Sequence, residues 1–393
     1  MQLAINCPGC ESEKLSLFYV AEDVPVHSVL LMLTRLEAVT YPRGNIHLAV
    51  CQECGFITNI AYEPALNEYS PRYEATQSYS PTFNTFHRQL ARHLIERYDL
   101  RGKDVIEIGC GQGEFLTLLC EMGDNRGVGF DPAFRPYEMN SSAADRIEFI
   151  SDFYSEKYAD YHGDFVCCKM TLEHIPKTAE FVSMVRRSIG SKTDTIVFFQ
   201  VPNATRILRD VAFWDIYYEH CSYFTPGALA RLFRLCGFEV IDLAAEYDNQ
   251  YLMIEARPTQ RPSSRLLPQE EPVTQVLQDV SHFSTYYPLQ ISRWRRVLDE
   301  IQEKGERAVI WGAGSKGVSF LTTLKVTDEI GYGVDINPKK KGTFMPGTGH
   351  EIVLPEFLQT YQPDVVIVMN PVYCDEIQAD LERLGVSARL LTV

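Results

Sequence analysis

The sequence predicts an α/β protein in which a small metal-bound module precedes two nucleotide-type folds. Three patterns support this prediction: two Cys-x-x-Cys pairs near the N-terminus, an apolar strand and glycine turn within residues 104–116, and a second strand and glycine turn within residues 307–317. Apolar strands separated by helical stretches build parallel sheets with helices on both faces. With 393 residues, 45% of them hydrophobic, the chain can bury two or three separate cores.

Composition and charge argue against several functional classes. The formal net charge of −15 disfavours nucleic-acid binding, because a polyphosphate partner requires a basic surface. The first residues lack the pattern of a signal peptide, and no run of about 18 apolar residues follows them. We therefore expect a cytoplasmic protein that acts on a small molecule, without a nucleic acid, a membrane or an obligate protein partner.

Residues 1–75 are expected to form a zinc-binding module. Cys7 pairs with Cys10, and Cys51 pairs with Cys54. The two-residue spacing within each pair lets a tight turn direct both sulfurs at one ion, so four thiolates predict a closed, structural zinc site. A redox-active cysteine pair is the alternative, although that motif normally stands alone.

Seven further cysteines lie mostly in apolar segments, where cysteine behaves as a small buried hydrophobic residue. They are Cys110, Cys120, Cys167, Cys168, Cys221, Cys236 and Cys374. Nothing around them predicts the lowered thiol pKa that a catalytic cysteine needs. Cys221 differs from the others because it follows a candidate active-site histidine.

The segment DVIEIGCGQGEFL is typical of a buried strand, a glycine turn and a helix start. Its glycines, Gly109, Gly111 and Gly113, let the backbone approach a ligand, and the helix N-terminus offers free N–H groups. Asp131, near the end of the next predicted strand, can accept both hydroxyls of a ribose. With Glu107 ahead of the glycines, the segment resembles the motif of class I methyltransferases.

That resemblance implies that residues 76–258 form a methyltransferase domain that binds S-adenosylmethionine (SAM). The residues expected at this cofactor are Glu107, Gly109, Gly111, Gly113, Asp131, Asp152 and Gln200. Asp152 follows the apolar run IEFI, where a carboxylate can meet an adenine edge. The alternative is a dinucleotide oxidoreductase in which the glycines serve only packing and turns.

The segment FWDIYYEHCSYF follows the fifth predicted strand, at the sheet edge where open α/β sheets bind ligands. His220 within it can exchange a proton near neutral pH, Glu219 can orient the imidazole, and the Tyr217 phenol can donate to an oxyanion. His174, after the fourth predicted strand, is expected at the same rim. An aromatic cluster around a structural histidine is the alternative.

Residues 305–393 are expected to form a second Rossmann-like α/β domain, preceded by a linker and helix over residues 259–304. Gly312 starts a GxGxxG spacing and Asp335 lies at a second strand end, so the motif alone predicts an NAD site. No partner for hydride transfer is evident. Lys316 and the lysines at 339–341 predict a surface that holds a diphosphate or, alternatively, a solvated turn.

The order of these motifs resembles one enzyme family. The paired CxxC module, EIGCGQGEFL, LEHIP, IYYEHCSYF, GAGSKG, VDINPKKKG and MPGT follow one another as in sugar C-methyltransferases of deoxysugar biosynthesis, which act on thymidine-diphosphate-linked keto-sugars. The resemblance covers nearly the whole chain. It implies that a 4-keto-sugar loses a proton from the carbon beside the ketone and that this carbon then takes the methyl group of SAM.

The resemblance also implies roles for the candidate residues. His220 would be the base, and Glu219 would orient the sugar or the histidine. Tyr217 and His174 would donate towards the developing enolate oxygen. The C-terminal domain would have a non-catalytic role on the substrate side.

Further contacts follow from the same resemblance. Tyr79, or else Tyr73, would supply a phenol from the segment before the first helix of the methyltransferase domain. Substrate contacts are expected from Tyr218, Asn203 and Lys316. Three alternatives stay open: methyl transfer to a hydroxyl or amine, an NAD-dependent oxidoreductase that uses the C-terminal GxGxxG, and a zinc-bearing binding module without turnover.

Overall fold

The computed structural model describes residues 6–67, 72–136 and 140–393. Its strands are β1 (Leu15–Pro25), β2 (Arg43–Cys51), β3 (Ile57–Asn59), β4 (Asp104–Ile108), β5 (Arg126–Phe130), β6 (Ile147–Ile150), β7 (Phe165–Lys169), β8 (Ile196–Pro202), β9 (Ser222–Tyr223), β10 (Phe238–Glu246), β11 (Tyr251–Pro258), β12 (Ala308–Trp311), β13 (Tyr332–Val334), β14 (Ile352–Val353), β15 (Val365–Val368) and β16 (Arg389–Thr392). Its α-helices are α1 (Arg35–Thr40), α2 (Pro81–Tyr98), α3 (Glu114–Gly123), α4 (Thr178–Ile189), α5 (Ala204–Arg209), α6 (Pro226–Leu235), α7 (Val273–Glu303), α8 (Ser315–Thr323), α9 (Leu358–Tyr361) and α10 (Cys374–Leu384). None of the helices in these ranges is long and apolar enough to cross a membrane.

A seven-stranded sheet occupies the middle of the chain, in the order β10-β11-β8-β7-β4-β5-β6. The strands from β8 to β6 in this order are parallel, and β11 runs antiparallel to both of its neighbours. Every residue of β7 is buried, as expected for a parallel strand that is covered on both faces. The predicted α/β class is confirmed for this region.

Helices cover both faces of this sheet because successive strand residues point to opposite sides. Cys167 belongs to a buried cluster with Leu94 of α2 and Leu119 of α3. Its neighbour Cys168 belongs to the cluster on the other face, which includes Phe233 of α6. Since parallel strands end at one edge, the loops that follow β4, β5, β7 and β8 meet there.

The N-terminal sheet takes its last strand from the middle of the chain. β1, β2, β3 and β9 pair antiparallel in this order, with Ile57 opposite Tyr223 and Thr58 opposite Ser222. β9 covers an edge of β3 that would otherwise be open to pairing with other chains. Because β9 begins two residues after His220, the N-terminal sheet fixes the loop that carries this histidine.

A five-stranded parallel sheet lies near the C-terminus, in the order β14-β13-β12-β15-β16. The long helix expected before this sheet is α7, whose Trp294 packs edge-to-face on Phe320 of α8, with 5.0 Å between ring centroids. The Ser319 hydroxyl of α8 donates to the Ile216 carbonyl at 2.7 Å. Helix α8, which follows β12 of this sheet, therefore also holds the segment before His220.

Candidate active site

The four cysteines of the two N-terminal pairs converge. Their sulfurs lie within 4.8 Å of one another, with 3.7 Å between Cys7 and Cys54 and 3.6 Å between Cys10 and Cys51. The hydrogen bond between Cys7 and Cys54 lowers the pKa of the Cys7 thiol and raises that of the Cys54 thiol, and burial raises the pKa of Cys10, so four thiolates here would require a bound cation. Tetrahedral zinc with bonds of about 2.3 Å places sulfurs about 3.8 Å apart, so the cluster is compatible with zinc.

Hydrogen bonds anchor this cluster to the helices of the central sheet. Arg231 of α6 donates through Nε to the Cys54 carbonyl at 2.9 Å. The Ala179 N–H of α4 donates to the Pro8 carbonyl at 3.1 Å. A metal here would hold the N-terminal sheet against the central sheet. Because β9 belongs to the N-terminal sheet, the metal would also support the loop that precedes β9 and carries His220.

A cavity of about 580 Å³ opens beside the first glycine turn. Gly109 and Gly111 have left-handed backbone angles, with φ of 71° and 58°. A Cβ atom at Gly109 would lie 2.0 Å from the Thr171 hydroxyl, whereas one at Gly111 would meet nothing within 4 Å. The backbone at Gly111 therefore faces open space that a ligand can enter. We call this space the donor cavity.

Asp131 follows β5 and lines the donor cavity. Its carboxylate accepts hydrogen bonds from the N–H groups of Gly111 at 2.9 Å and Ala133 at 2.8 Å. Burial raises its pKa. Each carboxylate oxygen keeps a further lone pair, so Asp131 can still accept from ligand hydroxyls.

Three other residues predicted at the cofactor have different surroundings. Gln200 lines the donor cavity, and its Oε1 is buried without a hydrogen-bond partner among the described residues. Asp152 also lines it, while its carboxylate accepts from the Tyr158 hydroxyl at 2.7 Å. Gly113 lies outside the lining: a Cβ there would come within 2.3 Å of the Phe149 ring. Gly113 therefore packs against Phe149 at the start of α3, and its contact with the cofactor stays a prediction.

Two buried charged residues also line the donor cavity. Glu107 is 2% exposed, and burial raises its pKa to about 8. Lys169, at the end of β7, donates from Nζ to Nε2 of His87 at 2.9 Å. Burial lowers the pKa of Lys169 to about 8 and that of His87 to about 2, so His87 is a neutral acceptor. Lys169 was not predicted, although a lysine in the apolar strand FVCCK marks the position.

A second cavity, of about 320 Å³, contains the predicted chemical groups and is called the acceptor cavity. Tyr217, Glu219 and His220 line it from the loop before β9, and His174 lines it from the loop after β7. Seven residues line both cavities: Tyr73, Ala75, Thr76, Gln77, Met170, His174 and Tyr251. Ligands in the two cavities can therefore meet beside His174.

His220 is buried among aromatic rings at this junction. Its ring centroid lies 4.1 Å from that of Tyr217 and 4.9 Å from that of His174. Burial, followed by the charges of His174 and Lys316, lowers the pKa of His220 well below its usual value. Nδ1 has no hydrogen-bond partner among the described residues, and Nε2 lies 4.0 Å from Oε1 of Glu173. His220 is thus a neutral imidazole that can accept a proton.

Glu173 places a buried carboxyl group beside this imidazole. It is 0% exposed, and neither carboxyl oxygen has a hydrogen-bond partner in the described part of the chain. Burial raises its pKa to about 8. Ligand atoms of Glu173, His174 and His220 lie within 4.8 Å of one another. Glu173 was not predicted, although it stands directly before His174 in LEHIP.

Hydrogen bonds orient Glu219 and His174. The Glu219 carboxylate accepts from the Ser28 N–H at 3.0 Å and from the Ser28 hydroxyl. Burial acts to raise the pKa of Glu219, but hydrogen bonds from His27 and Ser28 outweigh it and lower the pKa. The Glu219 carbonyl accepts from Nδ1 of His174 at 2.9 Å. Because a carbonyl can only accept, Nδ1 carries the proton and Nε2 of neutral His174 is an acceptor.

The predicted tyrosines before α2 and in the loop before β9 do not all face the acceptor cavity. Tyr73 and Tyr79 both line the acceptor cavity, and Tyr79 is 39% exposed. Tyr218 lines neither cavity, because its ring is buried in the core of the N-terminal sheet and its hydroxyl accepts from the Glu63 N–H at 2.9 Å. The predicted substrate contact of Tyr218 is therefore corrected: Tyr217 faces the cavity, and its neighbour faces away.

The acceptor cavity extends to the second glycine turn, where Gly312 lines it. Lys316 lines it and pairs with Asp215. Lys340 donates from Nζ to Asp335 at 2.8 Å. The acid that the GxGxxG motif would offer to a ribose is therefore already paired with a lysine.

Two further predictions concern this end of the cavity. Asn203 lines it, while its Oδ1 caps α5 by accepting from the Thr205 N–H at 3.1 Å. In the lysine run, Lys339 pairs with Glu74 at 3.1 Å and Lys340 is 8% exposed. A solvated turn does not describe Lys340.

The other cysteines are buried or half-buried thiols without a lowered pKa. Burial raises the pKa of Cys221 to about 12, and its thiol donates to the Glu173 carbonyl at 3.3 Å. Burial raises the pKa of each of the others: Cys110, Cys120, Cys167, Cys168, Cys236 and Cys374. None of these seven is therefore poised as a nucleophile.

Comparisons with known proteins cover most of the chain. Residues 83–243 match the model of a methyltransferase domain, and residues 256–388 match that of a C-methyltransferase C-terminal domain. The C-methyltransferase NovU of Streptomyces niveus is 28% identical over 350 residues, which are 84% of this chain and 81% of NovU. A ubiquinone biosynthesis O-methyltransferase of Neisseria meningitidis is 27% identical over 37% of this chain and 67% of its own length.

Among solved structures, the 1,6-didemethyltoxoflavin-N1-methyltransferase of Burkholderia thailandensis aligns with 53% of this chain and 97% of its own, at 15% identity and a TM-score of 0.35. The central sheet, its glycine turn and the two matched domains agree in assigning an α/β class I methyltransferase fold. The chain is an SAM-dependent methyltransferase that joins a methyltransferase domain to a C-methyltransferase C-terminal domain.

Proposed function

We propose that this enzyme methylates a carbon atom of a nucleotide-linked keto-sugar, of the thymidine-diphosphate type, with His220 as the base. The observation that carries the proposal is the position of His220, a neutral buried imidazole in the acceptor cavity where that cavity meets the donor cavity. The similarity to a C-methyltransferase along most of the chain supports carbon as the target.

The glycine turn and the cationic side chains at one end of the acceptor cavity support a nucleotide-linked substrate. From His220 the lining continues to Gly312 and the N-terminus of α8, a geometry suited to phosphate oxygens. Arg206, Lys316 and Lys340 place three cationic side chains in the lining, where they pair with Asp215 and Asp335, so a diphosphate would take the place of these carboxylates as their partner. A diphosphate at this end would place the attached sugar towards His220.

The proton chemistry depends on buried groups. A carbon atom becomes a nucleophile only when charge accumulates on it, so a proton must leave the carbon beside the ketone. His220 would accept that proton and become an imidazolium ion. Glu173, with Oε1 at 4.0 Å, is mostly protonated near neutral pH because burial raises its pKa, and the positive charge that forms on His220 would favour its carboxylate form.

Tyr217 would stabilise the oxygen of the resulting enolate. Burial raises the pKa of Tyr217 well above its usual value, so the phenol stays protonated and can donate. His174 receives a different role from the one implied by family resemblance. Its Nε2 is an acceptor while Nδ1 bonds to the Glu219 carbonyl, so neutral His174 would accept from a substrate hydroxyl.

The donor cavity offers matching residues for the cofactor. When bound, SAM supplies an electrophilic methyl group. Asp131 would accept from its ribose, the open backbone at Gly111 would allow close approach, and Glu107 would meet its charged methionyl end. Asp152 and Gln200 would line the remaining wall.

A product analysis tests the proposal. SAM labelled in its methyl group is incubated with thymidine-diphosphate-linked 4-keto-sugars, and the labelled atom is located by NMR. We expect label on the carbon beside the ketone and its loss in His220→Asn. Label on a hydroxyl or amine would contradict the proposed reaction.

We also propose that the cysteine cluster holds one structural zinc ion. The matching sulfur spacing supports this assignment. Metal analysis of the purified protein should find one zinc per chain, and Cys51→Ser should lower both zinc content and the melting temperature. Cys236→Ser, outside the cluster, should keep its zinc. A wild-type protein without zinc would contradict the assignment.

A further inference from the structure

Lys169 is a charged residue in an apolar setting. It ends β7 at 8% exposure, and its Nζ lies 3.9 Å from the Phe115 ring centroid. An ammonium has three donors, of which one bonds to His87 at 2.9 Å. Burying a cation without a counter-charge is costly, so the donors left over require an explanation.

Glu107 lies one strand away on the same side of the sheet. Glu107 pairs in register with Cys167, and residues two apart in a strand share a face, so Lys169 follows on that face towards the strand end. The Glu107 Oε2 is buried without a hydrogen-bond partner among the described residues. Lys169 donates to His87 instead of closing an ion pair with this oxygen.

The two side chains therefore present an acid and a base to the same donor cavity, and burial opposes the charged form of each. Each acts on the pKa of the other, since Glu107 raises that of Lys169 and Lys169 lowers that of Glu107 against the larger effect of burial. A ligand that carries an anion and a cation a few bonds apart would satisfy both groups. An α-amino acid has this chemistry.

We propose that Lys169 binds the α-carboxylate of the methionyl part of SAM while Glu107 binds its α-ammonium. Lys169 is then a cofactor-binding residue that recognises the α-carboxylate of SAM. His87 is a positioning residue, because its neutral Nε2 accepts one Lys169 donor and leaves others for the ligand. The proposal concerns the cofactor alone and is independent of the acceptor sugar.

Calorimetric binding of two ligands to the full chain tests this assignment. SAM carries the carboxylate, and decarboxylated SAM lacks it but keeps the ammonium. In Lys169→Met we expect about 10- to 100-fold weaker SAM binding and unchanged binding of decarboxylated SAM, because only the carboxylate loses its partner. Lys177→Met, which removes an exposed lysine, should bind both as wild type does.

A second variant, at Glu107, tests the proposed contact with the α-ammonium. Glu107→Gln should weaken both ligands by similar factors, because both carry the ammonium. Unchanged binding of decarboxylated SAM also reports that Lys169→Met is folded, and Lys169→Gln repeats the test with a polar side chain. Equal weakening of both ligands in Lys169→Met, or no weakening of SAM, would overturn the proposal.

Discussion

The two glycine turns of this molecule share a pattern but present different surfaces to a ligand. At the turn after β4, the Asp131 carboxylate, from the end of β5, accepts from the backbone N–H groups of Gly111 and Ala133 and stays available to a ligand. At the turn after β12, the Asp335 carboxylate, from the end of β13, accepts from the Asn337 N–H at 2.9 Å and also from the side chain of Lys340. The spacing of glycines and an acid therefore does not define the ligand; the group that faces the acid does.

A short turn explains the difference. In the C-terminal sheet, Asn337 accepts from the Lys339 N–H at 3.0 Å and caps a helical turn over Pro338–Lys340. This turn brings Lys340 back towards Asp335 and the glycine loop. No lysine faces Asp131 in the described contacts of the first turn, and the donor cavity opens there instead.

Replacing Asp131 or Asp335 with alanine should reveal the largest difference between the two glycine turns, measured as SAM affinity. Asp131→Ala should weaken SAM binding about 100-fold, because two charged hydrogen bonds to a ribose are lost. Asp335→Ala should leave SAM affinity within about twofold of wild type, since its turn does not face the donor cavity. Isothermal titration calorimetry measures both. Similar losses in the two variants would mean that the turns do not differ in this way.

Removing Lys340, which faces Asp335, should weaken binding of the nucleotide diphosphate proposed as part of the acceptor substrate. Lys340→Met should weaken binding of thymidine diphosphate about 10-fold, because a buried cation beside the glycine loop is lost and Asp335 is left unpaired. Lys341→Met, at an exposed position, is the matched control. Competition binding reports the change, and equal affinities of the two variants would exclude a diphosphate at Lys340.

Alanine at one glycine of each turn should give the smallest effects. A Cβ at Gly317 would lie 2.5 Å from the Gly312 carbonyl oxygen, so Gly317→Ala should lower the free energy of unfolding by about 1–3 kcal/mol. Gly111→Ala meets no atom, so it should cost only about 1 kcal/mol of backbone strain while weakening SAM several-fold. Thermal unfolding and calorimetry distinguish these outcomes. A larger stability loss in Gly111→Ala would contradict the contrast.

Local patterns predicted the two parallel sheets, the converging cysteines and the open glycine turn, because strand periodicity, CxxC spacing and left-handed glycines depend on neighbouring residues. Contacts between distant segments could not be predicted. β9 has two residues and pairs with β3, which lies far earlier in the chain. The hydrogen bond from Ser28 to Glu219 and the burial of Tyr218 in the N-terminal sheet, away from the acceptor cavity, depend on the same packing.

The environment of buried ionisable residues could not be predicted from the sequence either. Glu173 lies in a motif that was recognised for its histidine, and it becomes buried only when the turn Leu172–His174 packs against β9. The role of His174 likewise depends on a hydrogen bond to a carbonyl in another loop, which fixes its tautomer. Sequence spacing indicates where such residues stand but not which atom faces the ligand.

Hydrogen exchange at the substrate carbon shows whether His220 removes the proton. A thymidine-diphosphate-linked 4-keto-sugar is incubated in D₂O with the enzyme and S-adenosylhomocysteine, so that no methyl group is transferred, and deuterium is followed by NMR. We expect exchange at the carbon beside the ketone, slowed at least about 100-fold in His220→Asn. Exchange at the wild-type rate in that variant would show that another group removes the proton.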